Sequence, residues 1–307
     1  MAKKIINRIL VSIPVLLGVI LLIFLMLNVV PGNPIAIMMN EHIKQDVIER
    51  MTEYYGLNDP ILVQFGRYIV NALHGDFGVS YKLNRSVTDL IMDAFPYTVK
   101  LAVAAACVAW LIGIPAGIIA AVKKNTLIDR LFMGVSLLGV SMPVFWAALL
   151  FQYIFAYKLG WFPVSGADSW QSYILPSIVL GWSSAGTIAR LTRSNLLETL
   201  EDDYIRTAWA KGLTKSGVIV GHAFKNALLP VITMMAIQVA SLLSGAVITE
   251  TVFAIPGIGR LAVNAISSRD MPLLQGTVVF TTVLIILGNL IADLLYSVID
   301  PRIRNEN

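Results

Sequence analysis

The chain has 307 residues, 57% of them hydrophobic and only 14% charged, with a formal net charge of +4. Soluble domains carry about 25% charged residues, so this composition excludes a water-facing globule and makes lipid the solvent. A single cysteine, Cys107, excludes an internal disulfide framework; it falls in an apolar run, where packing is its expected role.

The first apolar run, 9–30, follows Lys3, Lys4 and Arg8 in the manner of a secretory signal. Its apolar part is too long for one, and "VVPGNP" offers no small-x-small cleavage site, so it reads as a retained first helix. Next comes the largest piece outside the membrane, 31–97. "YGLNDP" and "HGDFGVSY" carry turn chemistry, and "ILVQFGRYIVNAL" has helical spacing at Ile61, Phe65, Tyr68 and Ile69. Short helices on the outer membrane face are expected there. Five further runs follow, at 101–122, 131–157, 169–189, 226–249 and 271–292, each free of Asp, Glu, Lys and Arg. At about 1.5 Å rise per residue, 20 residues cross the roughly 30 Å hydrocarbon layer. Backbone groups in lipid must bond within their own segment, so helices are the default. The fourth run is the weakest, diluted by Ser183, Ser184 and Gly186. The expected fold is all-α, a polytopic membrane protein with six transmembrane helices. Its parts are 1–30, the outer segment 31–97, and a five-helix core 98–307 carrying a cytoplasmic loop at 190–225.

Lys and Arg in the short loops set the orientation. Fourteen of them lie in the termini and the 123–130 and 190–225 loops, against Lys158, Arg260 and Arg269 in the opposite short loops. Both termini are therefore expected on the cytoplasmic side. Pro115 and Pro143 fall inside spans and are expected to kink them.

An ionisable group at mid-membrane is costly and usually marks function. These runs contain none, which speaks against a proton- or sodium-driven transporter. His42, His74 and His222 fall in scattered loops, so no metal cluster and no intramembrane Ser–His pair is expected. Ser141, Gln238, Ser241, Ser244 and Asn289 are polar groups inside spans. They read equally as pathway lining and as interhelical hydrogen bonds.

The 190–225 loop is built differently from the rest. Helical sequence from Leu191 reaches the acidic cluster Glu201, Asp202, Asp203; "IRTAWAKG" adds a turn or two, and "VIVGHAFKNALL" resumes a helix. Gly212 stands between helical stretches, as a C′ glycine that reverses the chain. The expectation is a docking knob whose apolar residues Ala208, Trp209, Leu213, Val218 and Ile219 enter a partner's groove beside basic Arg206, Lys211 and Lys215. The plainer alternative is a loop that is basic only because topology demands it. "GLTKS" at 212–216 resembles the tail of a phosphate-binding loop, but no Gly precedes Lys215 and no strand leads in. "GIGRLA" at 257–262 fits a dinucleotide fingerprint in no strand-helix-strand unit, so a tight external corner or a plain turn is expected there.

The loop resembles the cytoplasmic signature of ABC-importer permeases, Glu-Ala-Ala, three residues, then Gly. Arg206, Thr207 and Ala208 stand at the Glu-Ala-Ala positions, so only the last matches, and Gly212 is the glycine. These departures are similar to the dipeptide, oligopeptide and nickel branch, with "RTAWAKG" and a downstream "HAFKNALLPV". "PGNP", "GLNDP", "GDFGVS", "SMPVFW", "GWFPVSG", "ETVFAIPGIG", "RDMPLLQG" and "DLLYSVIDPRIR" match that branch in order along nearly the whole chain. The resemblance implies a type I ABC importer permease-like fold in a bacterial or archaeal cytoplasmic membrane. It implies a homologous second permease, two cytoplasmic ATPases that carry the ATP and Mg, and an external substrate-binding protein. The chain itself would bind no cofactor or metal and perform no catalysis, and nucleic acid is not among the implied partners. Arg206, Thr207, Ala208, Trp209, Ala210, Lys211, Gly212 and Leu213 would couple to an ATPase. Glu250, Phe253, Pro256, Gly257 and Gly259 would form an external loop at the pathway mouth. The cargo implied is a peptide or related small solute, with nickel as the alternative. From another class, a secondary transporter or channel working without ATPases is the competing expectation.

Overall fold

The computed structural model describes residues 2–29, 52–53, 56, 58–243 and 246–299. Helix α1 covers Ala2–Val29, and α2, Ile61–Leu73, lies in the outer segment and meets α1 through Phe65 on Phe24, ring centroids 5.5 Å apart. Helix α3 spans Val87–Val122, with the Ser86 hydroxyl accepting from the Asp89 amide at its start. At about 1.5 Å per residue it is far longer than the hydrocarbon layer. The boundary drawn at 97 therefore falls inside a helix. Pro96 and Pro115 lie in α3 without interrupting it.

The third apolar run is not one helix. Helices α4, Leu127–Ser141, and α5, Val144–Phe151, meet at an angle of 106°, and α5 continues as a π-helical segment, Gln152–Lys158. The kink expected at Pro143 is a complete break. A proline drives the residue before it out of the helical region, and Met142 and Pro143 both sit at ψ 129. Two extended residues in succession turn the chain through more than a right angle.

A 3₁₀ turn, Trp170–Tyr173, leads into α6, Ile174–Leu200, which runs from the membrane zone into the loop beyond. Helix α7 is Asp203–Ala210. A π-helical segment, Gly217–Ala223, enters α8, Phe224–Leu243. Helices α9, Val247–Val252, and α10, Ile258–Ser268, make the outer corner, and α11 is Met271–Ile299. Among the described residues, four helical stretches are long and apolar enough to cross a membrane: Val87–Val122, Trp170–Leu200, Gly217–Leu243 and Met271–Ala292; the bent pair would be a fifth. Helix α1, at 28 residues, has the length to cross as well. Of the six expected runs, four are such helices, the third is the bent pair and the first is α1.

Small residues decide the packing. Helices α3 and α6 form the most extensive pair, through buried Ala102, Ala105, Ala109, Ala116 and Ala120 on α3. A methyl group added at Gly113 would lie 2.8 Å from the Ala185 carbonyl oxygen, and one at Gly117 2.5 Å from that of Ala189. Close backbone approach at small residues is how helices associate where the solvent is as apolar as their side chains. On the other side, α11 packs against α8 and α1, with Gly288 facing Ala240. Cys107 corrects its expectation, because its side chain is exposed on α3 rather than packed in a core.

Candidate functional site

The 190–225 loop rests on its own apolar base. Ile205 and Ala208, three residues apart on one face of α7, are buried with Val218, Ile219, Ala223 and Ala227 against Ala121 of α3 and Leu196 of α6. Fully burying a side chain the size of Ile205 or Val218 contributes about 1.5–3 kcal/mol. The Asn226 Nδ2 group donates to Tyr204 Oη at 2.7 Å, tying the start of α8 to the first turn of α7. The expectation that Ala208, Val218 and Ile219 fill a partner's groove is therefore overturned; this chain's own core takes them. Trp209 and Leu213 remain 44% and 41% exposed. With them, Arg206, Thr207, Ala210, Lys211 and Gly212 form a continuous exposed surface.

That surface is shaped by one backbone event. Gly212 has φ +76 and donates its amide to the Trp209 carbonyl at 3.0 Å, while the Lys211 amide reaches Thr207. A residue in the left-handed region just past the last turn stops a helix and turns the chain, and glycine does so without steric penalty. Asp203 in the first turn and Lys211 at the C-terminal end both complement the dipole of α7. The ion pairs here are in water: Arg206–Asp203 at 3.3 Å and Lys124–Glu201 at 3.4 Å.

The outer corner is the opposite kind of site. Glu250 is completely buried, accepting from the Thr98 hydroxyl at 2.8 Å and from the Arg260 amide at 3.0 Å. The same Thr98 hydroxyl oxygen accepts from the Ile258 amide at 2.9 Å. Burial pushes the Glu250 carboxyl above the usual carboxylate range, against the opposing pull of the Thr98 hydroxyl and the Arg260 and Gly259 amides. The two glycines of "IPGIG" are needed for this close approach. A Cβ at Gly257 would collide with the Glu250 carboxyl carbon, and one at Gly259 would stand 2.7 Å from Val247 Cα. Phe253 is buried beside Ile255 and Leu101, and its carbonyl accepts from the Gly166 amide at 2.8 Å. Arg260 Nη1 donates to the Ala254 carbonyl at 2.6 Å. Of the five residues expected at a pathway mouth, Glu250, Phe253, Gly257 and Gly259 are thus buried, and Pro256 alone is exposed.

A second buried carboxyl closes the far end of α10. Asp270 accepts from the Ser80 hydroxyl at 2.5 Å and from the Tyr81 and Lys82 amides at 3.1 and 3.2 Å, which latches the outer segment to the start of α11. Beside the 190–225 loop, Asp129 of α4 receives Nε and Nη2 of Arg193 of α6 at 2.6 and 2.7 Å. Sequence reasoning passed over Thr98, Asp270 and this pair. A glutamate followed by two glycines within ten residues, with a threonine near the start of a neighbouring span, is the signal that was present.

The polar span residues fare unequally. Gln238 donates to the Ser184 carbonyl at 3.2 Å, an interhelical bond from α8 to α6. Ser141 opens on a cleft of about 360 Å³ at the α4–α5 break, lined also by Leu138, Met142, Pro143, Phe145 and Trp146. Ser241 is exposed, and Ser244 lies outside the described residues.

Residues 113–305 match the family model of the binding-protein-dependent transport system inner membrane component, and residues 1–102 match the model of its N-terminal region. The chain belongs to this permease family. A dipeptide transport system permease protein DppB of Alkalihalophilus pseudofirmus is 41% identical, over 97% of this chain and 98% of that one. A glutathione transport system permease protein GsiC of Escherichia coli K12 is also 41% identical, over 99% of each. Among solved structures, an inward-facing conformation of the MetNI methionine ABC transporter aligns with a TM-score of 0.59 at 16% identity, over 69% of this permease and 96% of that chain. At that identity the likeness concerns the fold, and it confirms an all-α, importer-permease architecture. The permease is a transport subunit rather than an enzyme.

Proposed function

We propose that this permease is one membrane-spanning half of an ATP-driven importer for dipeptides, oligopeptides or related small solutes such as glutathione. A homologous second permease completes the translocation pathway. Two cytoplasmic ATPases bind ATP and Mg, and an external binding protein delivers the cargo. Both termini face the cytoplasm, as the Lys and Arg bias requires. The observation that carries this reading is the α7 knob, a short helix with an exposed rim of Arg206, Trp209, Lys211 and Leu213 held on a buried apolar base. Such a knob is rigid enough to pass on a push, and its exposed Trp and Leu need a partner's cleft. Nucleotide-driven closure of the ATPases moves the knobs, and the spans then expose the cavity alternately to each side.

The test is affinity purification of the tagged permease from native membranes in mild detergent. Recovery of a second permease and two ATPases is the expected result, and a peptide or thiol tripeptide on a co-purifying binding protein would name the cargo. A nickel chelate in its place would move the cargo to the alternative in the same family. Recovery of the permease alone under several mild conditions would favour a transporter that works without ATPases.

A further inference from the structure

The two ends of the α3–α6 pair carry different attachments. At the cytoplasmic end, Ile205 and Ala208 of α7 pack on Ala121 of α3 and Leu196 of α6. At the outer end, Thr98 of α3 holds the corner by two hydrogen bonds, giving one to the Glu250 carboxyl and taking one from the Ile258 amide. One turn further along α3, Leu101 packs with Phe253 and Ile255 of the same corner. Roughly 35 Å of helix separate Thr98 from Ala121 at about 1.5 Å per residue. Between them runs the seam in which Gly113 and Gly117 touch the backbone of α6. Helices in backbone contact cannot slide without their small residues colliding, so the pair moves as one body.

We propose that Thr98 and Glu250 form an outer joint that makes the α9–α10 corner move with the α3–α6 pair, so that a displacement of the α7 knob reaches the outer mouth of the pathway. This rests on the importer reading. Three features of the corner suit it to that task. Glu250 is fully buried and Thr98 nearly so, which shields both hydrogen bonds from water. The threonine hydroxyl is donor and acceptor at once, so a single atom couples α3 to two separate points of the corner. The glycines at 257 and 259 bring the first turn of α10 against the carboxyl so closely that the corner cannot rotate about Glu250. A fully satisfied, buried hydrogen-bonded joint holds one geometry, so the elements it links move together.

The experiment uses the complete importer in proteoliposomes and reads cargo transported per ATP hydrolysed. Thr98→Val keeps the shape and removes both hydrogen bonds. It should lower that ratio severalfold, the factor expected for losing about 1 kcal/mol or more of hydrogen bonding, while ATP hydrolysis continues. Thr98→Ser, which retains the hydroxyl, should restore it. A purely structural Thr98 would instead lower both rates together and leave the ratio unchanged. A second measurement does not depend on the variant folding. Met92→Cys on α3 and exposed Pro256→Cys on the corner, in a Cys107→Ala background, carry spin labels. Their distance should be the same in nucleotide-free and ATP-trapped complexes. A distance that changes with nucleotide, or an unchanged transport ratio in Thr98→Val, would overturn the joint. Failure of the importer reading shows elsewhere, in a wild-type chain that assembles with no ATPase, and would take the joint down with it.

Discussion

The α9–α10 corner and the 190–225 loop solve opposite problems. The corner folds inward around a carboxyl. Glu250 and Thr98 are buried, and two glycines give up their side chains so that amides can reach the acid. The loop folds outward. Beneath α7 it buries aliphatic groups, Ile205, Val218 and their neighbours, and it leaves every charge on α7 in water. A buried polar network specifies one geometry and resists change, whereas an exposed rim on an apolar base is a surface offered to something else. The comparison teaches that charge near a membrane boundary has no fixed meaning; its hydrogen-bond partners decide whether it locks or docks.

Six substitutions would break or sharpen that contrast. The largest effect is expected from Arg193→Ala, which strands the nearly buried Asp129 carboxylate. Leaving one partner of a buried pair costs about 3–5 kcal/mol, so the melting temperature of the purified permease should fall steeply. If it does not, the loop's foundation is not a locked one. Next comes Glu250→Ala, expected to cost about 3 kcal/mol through a cavity and stranded donors. Its counterpart Glu250→Gln tests the charge. The Glu250 carboxyl is raised in the folded state, so its contribution is fully present below the ordinary carboxylate range. It is lost as pH climbs through the folded value. Thermal stability of the wild type should therefore decline with rising pH across that window, and Glu250→Gln should flatten the decline.

In the loop, Ala208→Leu should cost about 1–3 kcal/mol by overpacking a filled site, because Ala208 faces the chain's own core. A partner-facing Ala208 would leave the isolated permease as stable as before. Gly212→Val places a β-branched residue at φ +76, at a cost of about 1–2 kcal/mol. Nothing lies within 4 Å of the added Cβ, so the variant should still insert, and uptake should be abolished because the knob is re-aimed. Normal uptake would mean that the turn at 212 does not shape the docking surface. The smallest effect belongs to Arg206→Ala. Its ion pair with Asp203 is solvent-exposed and is worth under about 1 kcal/mol to stability, so melting should not move while ATPase association weakens.

Much of this architecture was legible in the residues. The charge-free runs located the spans, and Gly212 marked the turn because helical sequence flanks it on both sides. The ordered motifs along the chain marked the family. What escaped had physical reasons. The break in the third run was hidden because proline is tolerated in membrane helices, where neighbouring groups often let the helix continue past it with a kink. The inward face of α7 could have been found, since Ile205 and Ala208 are three apart and Val218, Ile219 and Ala223 continue one stripe. It was missed by treating every apolar residue of the loop as an offering. Glu250 was placed at a mouth by the family resemblance, which says nothing of its burial. Its burial depends on Thr98, which lies 152 positions away in the chain.

The right-angle break between α4 and α5 also bears on how the protein is made. Fifteen residues of α4 climb about 22 Å, less than the hydrocarbon layer of about 30 Å. The Met142 amide still donates to the Leu138 carbonyl, but Pro143 has no amide to offer the Gly139 carbonyl, beside a cleft floored by Met142 and Pro143. Lipid tolerates no such bare backbone. A newly synthesised copy waiting by itself in the bilayer would carry this flaw until another subunit covered it. Its lifetime in the cell should then be set by the supply of its partner, with surplus copies recognised by quality-control proteases through the uncovered break.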